Sequence, residues 1–309
     1  MRPGSDRDAP ERRSRPGQVR LLALSTVVVI ASHATPVALA APAGTDRLPD
    51  LAMARPSNLR MVTTTGHRLL RFTTMIVNIG DGPFETRAAR RSTSVSSMRV
   101  KQRIYDTDGG YRVVSTPTVA RYSGDGHDHW HVQGVATYEL FTAGVQGNAL
   151  ARSSKVGFCF FDTRPYRLSL PMAPAMRHYA QGGCGDRDSL SVRNGISVGW
   201  GDRYGVELRY QAIDVTALPA GEYLLKVTAD PSEYFAELRE QNNCNWTRVR
   251  LPSSGSLGVT VLDWGAGCSL PGVAPTPPPS PATTPTPPPA PTPIVTPTPT
   301  PVETPGGVA

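Results

Sequence analysis

The sequence predicts a mainly β protein: a single antiparallel β-sandwich-like domain with long loops. Three observations point there. Apolar and polar residues alternate with period 2 in several stretches between residues 41 and 270, as half-buried strands require. Glycine (29) and proline (31) are frequent enough among 309 residues to argue against a long-helix protein. Outside the first apolar run, no amphipathic stretch of helical period extends beyond about ten residues.

The chain opens with six arginines and three acids within its first twenty residues. An apolar run, Leu21 to Ala31, follows. At eleven residues it would be about 17 Å long as a helix, against a hydrocarbon core of about 30 Å, so no stable membrane span is expected. The small residues Ala38-Leu39-Ala40-Ala41 then fit cleavage after Ala40. Residues 1–40 are therefore expected to be a signal peptide, and the protein to be secreted or displayed at the cell surface. Residues 41–270 are expected to form the folded domain, long enough to bury a substantial core. From Pro271 to Ala309 there are 16 prolines, 9 threonines and one charged residue, Glu303. That composition cannot bury enough surface to fold, so 271–309 is expected to be a disordered, partly polyproline tail.

Within the domain, Leu70 to Val77 reads as a strand, and Asn78-Ile79-Gly80-Asp81-Gly82-Pro83 as the turn that follows. Val135 to Phe141, Gly205 to Ile213, Tyr223 to Ala229 and Leu257 to Leu262 carry the same alternation. Gly109-Gly110 and Pro219-Ala220-Gly221-Glu222 read as tight connections. Four cysteines, Cys159, Cys184, Cys244 and Cys268, all lie beyond the signal. An even number in an oxidising compartment favours two disulfides. Three connectivities are open, with the local pairs 159–184 and 244–268 preferred. The formal charge of +7 comes from 32 basic and 25 acidic residues. It is too balanced and scattered to predict nucleic-acid binding. No Gly-x-Gly-x-x-Gly or Walker A sequence occurs, so dinucleotide and P-loop chemistry have no support.

The sharpest local feature is Ser123-Gly-Asp-Gly-His127-Asp128-His129-Trp130-His131, which holds half of the six histidines. Imidazole is a preferred nitrogen ligand for copper and zinc. A strand puts positions i, i+2 and i+4 on one face, but a flat strand would spread the outer pair over about 13 Å. The run must bend if all three are to hold one ion, and Gly124 and Gly126 sit where a bend can begin. Trp130 should face the other way and pack. Asp128 should support a histidine or meet solvent.

Two further stretches, Lys155-Val-Gly-Phe-Cys159-Phe-Phe-Asp162-Thr and Gly195-Ile-Ser-Val-Gly-Trp-Gly-Asp202-Arg-Tyr204-Gly205, are continued by Ile213-Asp-Val-Thr216 and Pro219-Ala-Gly-Glu-Tyr223. Taken in this order with the histidine run, they resemble the lysyl oxidase family from about Leu48 to Ala266. The resemblance implies a copper amine oxidase whose cofactor, lysyl tyrosylquinone (LTQ), is made from its own side chains. On that resemblance Cu²⁺ falls on His127, His129 and His131, the cofactor lysine is Lys155 and the cofactor tyrosine Tyr204. A Ca²⁺ site falls on Asp50, the Leu51 carbonyl, Glu237, Asn242 and Asn243. Arg239 stands where the family pattern has a calcium-ligating aspartate, and its guanidinium repels that ion. Gly126 stands where animal members carry a disulfide cysteine.

The implied activity is oxidative deamination of primary amines by O₂, giving an aldehyde, ammonia and hydrogen peroxide. The substrates would be small amines or lysine side chains of secreted or cell-surface proteins. Lys155 must be neutral to react, so its ordinary pKa of about 10.4 has to be offset by desolvation or by the metal. Val156, Phe158 and Phe160 offer such surroundings. Asp128, beside the histidines, and Asp202, beside the tyrosine, are the candidate catalytic bases. The competing readings are a catalytically silent metal-binding adhesion module and a zinc-dependent hydrolase.

Overall fold

The computed structural model of the protein describes residues 44–123, 128–144, 147–153, 155, 157–253 and 255–272. The expected signal peptide, most of the tail, His127 and the glycines 124 and 126 lie outside the described residues. Every strand pairing is antiparallel, and among the described residues the only helix is a short 3₁₀ turn, Gln181–Cys184. No helix there is long and apolar enough to cross a membrane.

The strands form three sheets. The first runs Gly157–Phe158, His129–Gln133, Tyr111–Ser123, Ser97–Asp106, Phe84–Ala89, Ser191–Ile196, with Asp46–Arg47 also paired to Ser97–Asp106. The second runs Ala151–Arg152, Ala136–Thr142, Gly221–Ala229, Cys244–Leu251, Thr260–Ala266. The third is built on the long strand His67–Asn78, which pairs with Trp200–Tyr204, Ala212–Asp214, Leu51–Met53 and Ser57–Thr64, while Arg164–Pro165 extends it beyond Trp200–Tyr204.

Alternation decides what each sheet buries. Met98 and Val100 of the first sheet, Tyr138, Leu140, Leu225 and Val227 of the second, and Leu70, Phe72 and Ile76 of the third all point into one core. Phe72 of the third sheet meets Tyr138 of the second at 5.4 Å, and Phe84 of the first meets Phe160, just beyond the strand Gly157–Phe158, at 5.0 Å, both T-shaped. The two disulfides are the local pairs, Cys159–Cys184 and Cys244–Cys268.

The expected strand Gly205 to Ile213 is strand only at Ala212–Asp214. Two turns, closed by Leu208 N–H to the Gly205 carbonyl and Gln211 N–H to the Leu208 carbonyl, use up the preceding residues, and Tyr210 is left-handed at φ 65°. Backbone hydrogen bonding within the loop overrides the alternation there.

One buried polar hub fastens the first sheet. Glu85 is fully buried and accepts hydrogen bonds from Arg87, Arg193 and the hydroxyls of Tyr105 and Tyr179 at 2.8–3.0 Å. Burial alone would raise its pKa, but the Arg87, Arg193 and Tyr105 bonds together hold the carboxyl below its usual range.

Candidate active site

The strand His129–Gln133 carries the two described histidines. Its other face explains their direction: Trp130 and Val132 are buried in the core, and the Trp130 indole N–H donates to the Asp186 carbonyl at 2.7 Å. His129 and His131 therefore share the opposite face, with His131 buried and His129 half-buried. Their Nε2 atoms lie 2.9 Å apart. Two imidazole nitrogens bound at about 2.0 Å, at right angles on one ion, would be separated by about 2.8 Å. The spacing of the pair thus matches that of two adjacent ligands of one ion. Asp128 is exposed and left-handed at φ 42°, so the backbone turns sharply as it enters the strand.

The strand Gly157–Phe158 is the hydrogen-bonded neighbour of the histidine strand, with Gly157 opposite Gln133 and Phe158 opposite Val132. This pairing delivers Lys155 to the site. Lys155 is only 8% exposed, and its Nζ lies 4.6 Å from the Phe158 ring centre and 4.8 Å from the Tyr204 ring centre. Phe158 and Tyr204 meet edge to face at 4.8 Å. The Tyr204 hydroxyl donates to the Cys159 carbonyl at 3.0 Å, so the cysteine held by the Cys184 disulfide also fixes the phenol.

Asp202 and Tyr204 are two residues apart on the strand Trp200–Tyr204 and share a face. Asp202 is 1% exposed, and its Oδ2 has no hydrogen-bond partner among the described residues. Burial pushes its carboxyl well above the usual range, against the opposing pull of the Tyr204 hydroxyl and the Lys155 ammonium. Burial and the neighbouring Asp202 likewise raise the Tyr204 phenol well above its ordinary value. Of the two candidate bases, then, Asp202 sits in a desolvated pocket with Lys155 and Tyr204, and Asp128 faces solvent.

Sequence reasoning missed a polar network behind the phenol. Thr74, opposite Tyr204 in the sheet, exchanges a hydrogen bond with the Tyr138 hydroxyl at 2.9 Å and accepts one from Gln211 Nε2 at 2.9 Å. Gln211 is fully buried and its Oε1 is unpaired among the described residues. Gln211 sits in the loop misread as strand, where alternation gave no hint that its amide turns inward. His178 is exposed, meets Tyr179 edge to face and contacts the Arg193 guanidinium at 2.9 Å, in the neighbourhood of Glu85.

The residues implied for calcium are scattered in use. Both Asp50 oxygens are engaged: Oδ2 accepts from Arg239 Nε and Nη2 at 3.0 and 2.6 Å, and Oδ1 from Asn242 Nδ2 at 2.8 Å. The Leu51 N–H donates to Glu237 Oε2. Asn243 donates to Glu240 at 3.2 Å.

Fold and site together describe an antiparallel β protein with an imidazole pair fit for a metal beside a buried lysine–tyrosine–aspartate cluster. The lysyl oxidase family model matches residues 97–256 of this chain, and the chain belongs to that family. It is 27% identical over 177 residues to mouse lysyl oxidase homolog 4, covering 57% of this chain and 18% of that one. To lysyl oxidase homolog 2 of chicken it is 28% identical over 190 residues, 61% of this chain and 19% of the relative. To human lysyl oxidase homolog 3 it is 27% identical over 185 residues, 58% and 19% respectively. The chain thus matches about a fifth of the length of these curated relatives.

Proposed function

We propose that this protein is a secreted copper-dependent oxidase of primary amines, its cofactor built from Lys155 and Tyr204. The observation that carries the reading is the placement of the Lys155 amine over the Tyr204 ring at 4.8 Å, both side chains buried. His129 and His131, with His127, would hold the copper. Held there, copper would supply, with O₂ as the oxidant, the redox chemistry that makes the quinone cofactor from Tyr204 and Lys155.

The chain's own residues do the rest. Phe158 packs on both partners and excludes water. The Cys159 carbonyl holds the phenol in one orientation. Asp202, whose Oδ2 is unpaired among the described residues, is the group suited to take the α-proton of the bound amine. Burial raises its proton affinity toward the range an efficient general base needs.

The two disulfides support an oxidising compartment, in keeping with residues 1–40 acting as a signal peptide. The substrate class we assign is the unhindered primary amine, either a small molecule or a lysine side chain of a secreted protein.

The test is peptide mass spectrometry of protein produced with copper and O₂. The expected result is one crosslinked species joining the Lys155 and Tyr204 peptides, together with a quinone absorbance. Copper-loaded protein that yields both peptides separate and unmodified would refute the assignment.

A further inference from the structure

A pocket of about 480 Å³ opens beside the loop 205–211, with Arg71, Arg152 and Arg209 in its wall. Both sides of it are tied to the Lys155–Tyr204 pair. On one side, the Ser153 hydroxyl accepts from the Lys155 N–H at 3.2 Å and donates to the Tyr210 carbonyl at 3.1 Å. Arg152 precedes Lys155 by three residues, so their Cα atoms lie no more than about 11 Å apart. On the other side, Gln211, next to Tyr210, donates to Thr74, the residue opposite Tyr204 in the sheet.

The arginines differ in what already holds them. Arg152 pairs with Glu139 at 2.8 Å. Arg71 donates through Nη2 to the Leu208 carbonyl, yet its Nε is buried and has no partner among the described residues. A buried donor left unpaired is costly, and an anionic acceptor relieves that cost. Arg209 is exposed, its guanidinium carbon 5.1 Å from the Tyr210 ring centre. Among the described residues, the carboxylate in this wall is Asp214, already engaged by His67 at 2.6 Å and by the Thr216 N–H at 2.9 Å. The pocket therefore presents net positive charge, carried by Arg71 and Arg209. Leu69, Ala212 and the Tyr210 ring add apolar wall. Such a surface takes a ligand with an apolar stem ending in a carboxylate, which guanidinium forks bind bidentately.

We propose that this pocket holds the carboxylate of the amine substrate, and that the amines this protein prefers are ω-amino acids, with Arg71 and Arg209 setting the preference. The assignment rests on the oxidase reading of Lys155 and Tyr204, and it narrows the substrate class given above. A chain of five methylenes between amine and carboxylate is about 8 Å long when extended. That is comparable with the separation the chain allows between Arg152 and Lys155. A diamine would bring a second ammonium against the guanidiniums and is disfavoured by like-charge repulsion.

The test uses the full chain in two forms. Copper-free protein is titrated calorimetrically with hexanoate, a probe with the stem and the carboxylate but no amine. Copper-loaded protein is assayed for hydrogen peroxide release with 6-aminohexanoate, hexylamine and 1,5-diaminopentane. Expected are saturable hexanoate binding and a kcat/KM for 6-aminohexanoate about tenfold or more above that of the other two, expressed mainly in KM. Arg209→Gln, at an exposed position, should weaken hexanoate binding about tenfold and lower kcat/KM for 6-aminohexanoate far more than for hexylamine. Arg209→Lys, which keeps the charge, should recover part of the loss. Absence of saturable hexanoate binding would overturn the pocket. Equal kcat/KM for 6-aminohexanoate and hexylamine, or an equal loss for both in Arg209→Gln, would overturn its role in substrate choice. Hexanoate binding together with no oxidation of any amine would instead overturn the oxidase reading, and the substrate assignment would fall with it.

Discussion

A Cβ added to Gly157 would stand 2.8 Å from the Cβ of His131 and 2.8 Å from Gln133 Nε2. The strand that follows Lys155 therefore lies against the histidine strand at a distance that only glycine allows. Gly157→Ala should push the two strands apart and turn His131 away from His129. The expected result is a copper affinity lowered by about 10- to 100-fold, the usual cost of disturbing the support of a metal ligand. Copper per chain after dialysis against a competing chelator measures it. Unchanged copper retention would show that His131 is positioned by other contacts.

Asp202 is kept buried beside Tyr204 at a cost to the fold. Its pKa is raised in the folded state, so its contribution to stability is fully present below the unfolded carboxylate value. That contribution is lost as the pH rises through the higher folded value. At neutral pH, Asp202→Asn should therefore raise Tm, each kcal/mol gained appearing as roughly 2–4 °C in a domain of this size. The same change removes the proposed base and should lower kcat by about 10² to 10⁴. The acid limb of the wild-type rate profile should lie above the ordinary carboxylate range, because the base must be deprotonated to act. A less stable, fully active Asn variant would remove Asp202 from the mechanism.

Much of this was legible in the sequence for identifiable reasons. The strand Ala136–Thr142 alternates buried and half-buried residues, so period 2 marks it plainly, while the strands around Leu70 and Tyr223 bury residues on both faces and show as runs rich in apolar and β-branched residues. The histidine pair was legible because Trp130 and Val132, the intervening residues, are strongly apolar and claim the core face. Lys155 and Tyr204 were different. They are 49 positions apart in sequence, and their meeting depends on Phe158 and on the pairing of Gly157 with Gln133, which no local pattern encodes. The polar network of Thr74, Tyr138 and Gln211 was hidden for the same reason, since each member looks like an ordinary strand or loop residue until the sheets are assembled.

Gln211 offers a test of that network. Its Nε2 fixes Thr74, which in turn meets the Tyr138 hydroxyl behind Tyr204. Gln211→Leu removes a buried donor and leaves the Thr74 hydroxyl with one partner fewer, at a cost of about 1–3 kcal/mol. If the network also orients the phenol, the yield of the Lys155–Tyr204 crosslink should fall further than the loss of folded protein explains. Crosslink per folded chain, from mass spectrometry and circular dichroism on one sample, distinguishes orientation from mere stability.

Glu85 sets the acid limit of the fold. Its carboxylate is fully buried and bound by Arg87, Arg193 and two tyrosine hydroxyls. Because these donors outweigh the burial that would raise its pKa, the folded value lies below the unfolded one. Its stabilisation is then present above the unfolded carboxylate pKa and is lost as pH falls through the folded value. Glu85→Ala would remove the acceptor shared by Arg87, Arg193 and two tyrosine hydroxyls; because both guanidiniums reach solvent, the loss should fall below the about 3–5 kcal/mol of breaking a fully buried pair. Glu85→Gln keeps the shape but not the charge, so it should lose less and should flatten the fall in Tm between about pH 5 and pH 3 relative to wild type. Thermal unfolding across that range, with wild type and both variants side by side, measures the effect. If wild type and Glu85→Gln lost stability in parallel there, the acid sensitivity would belong to other carboxylates.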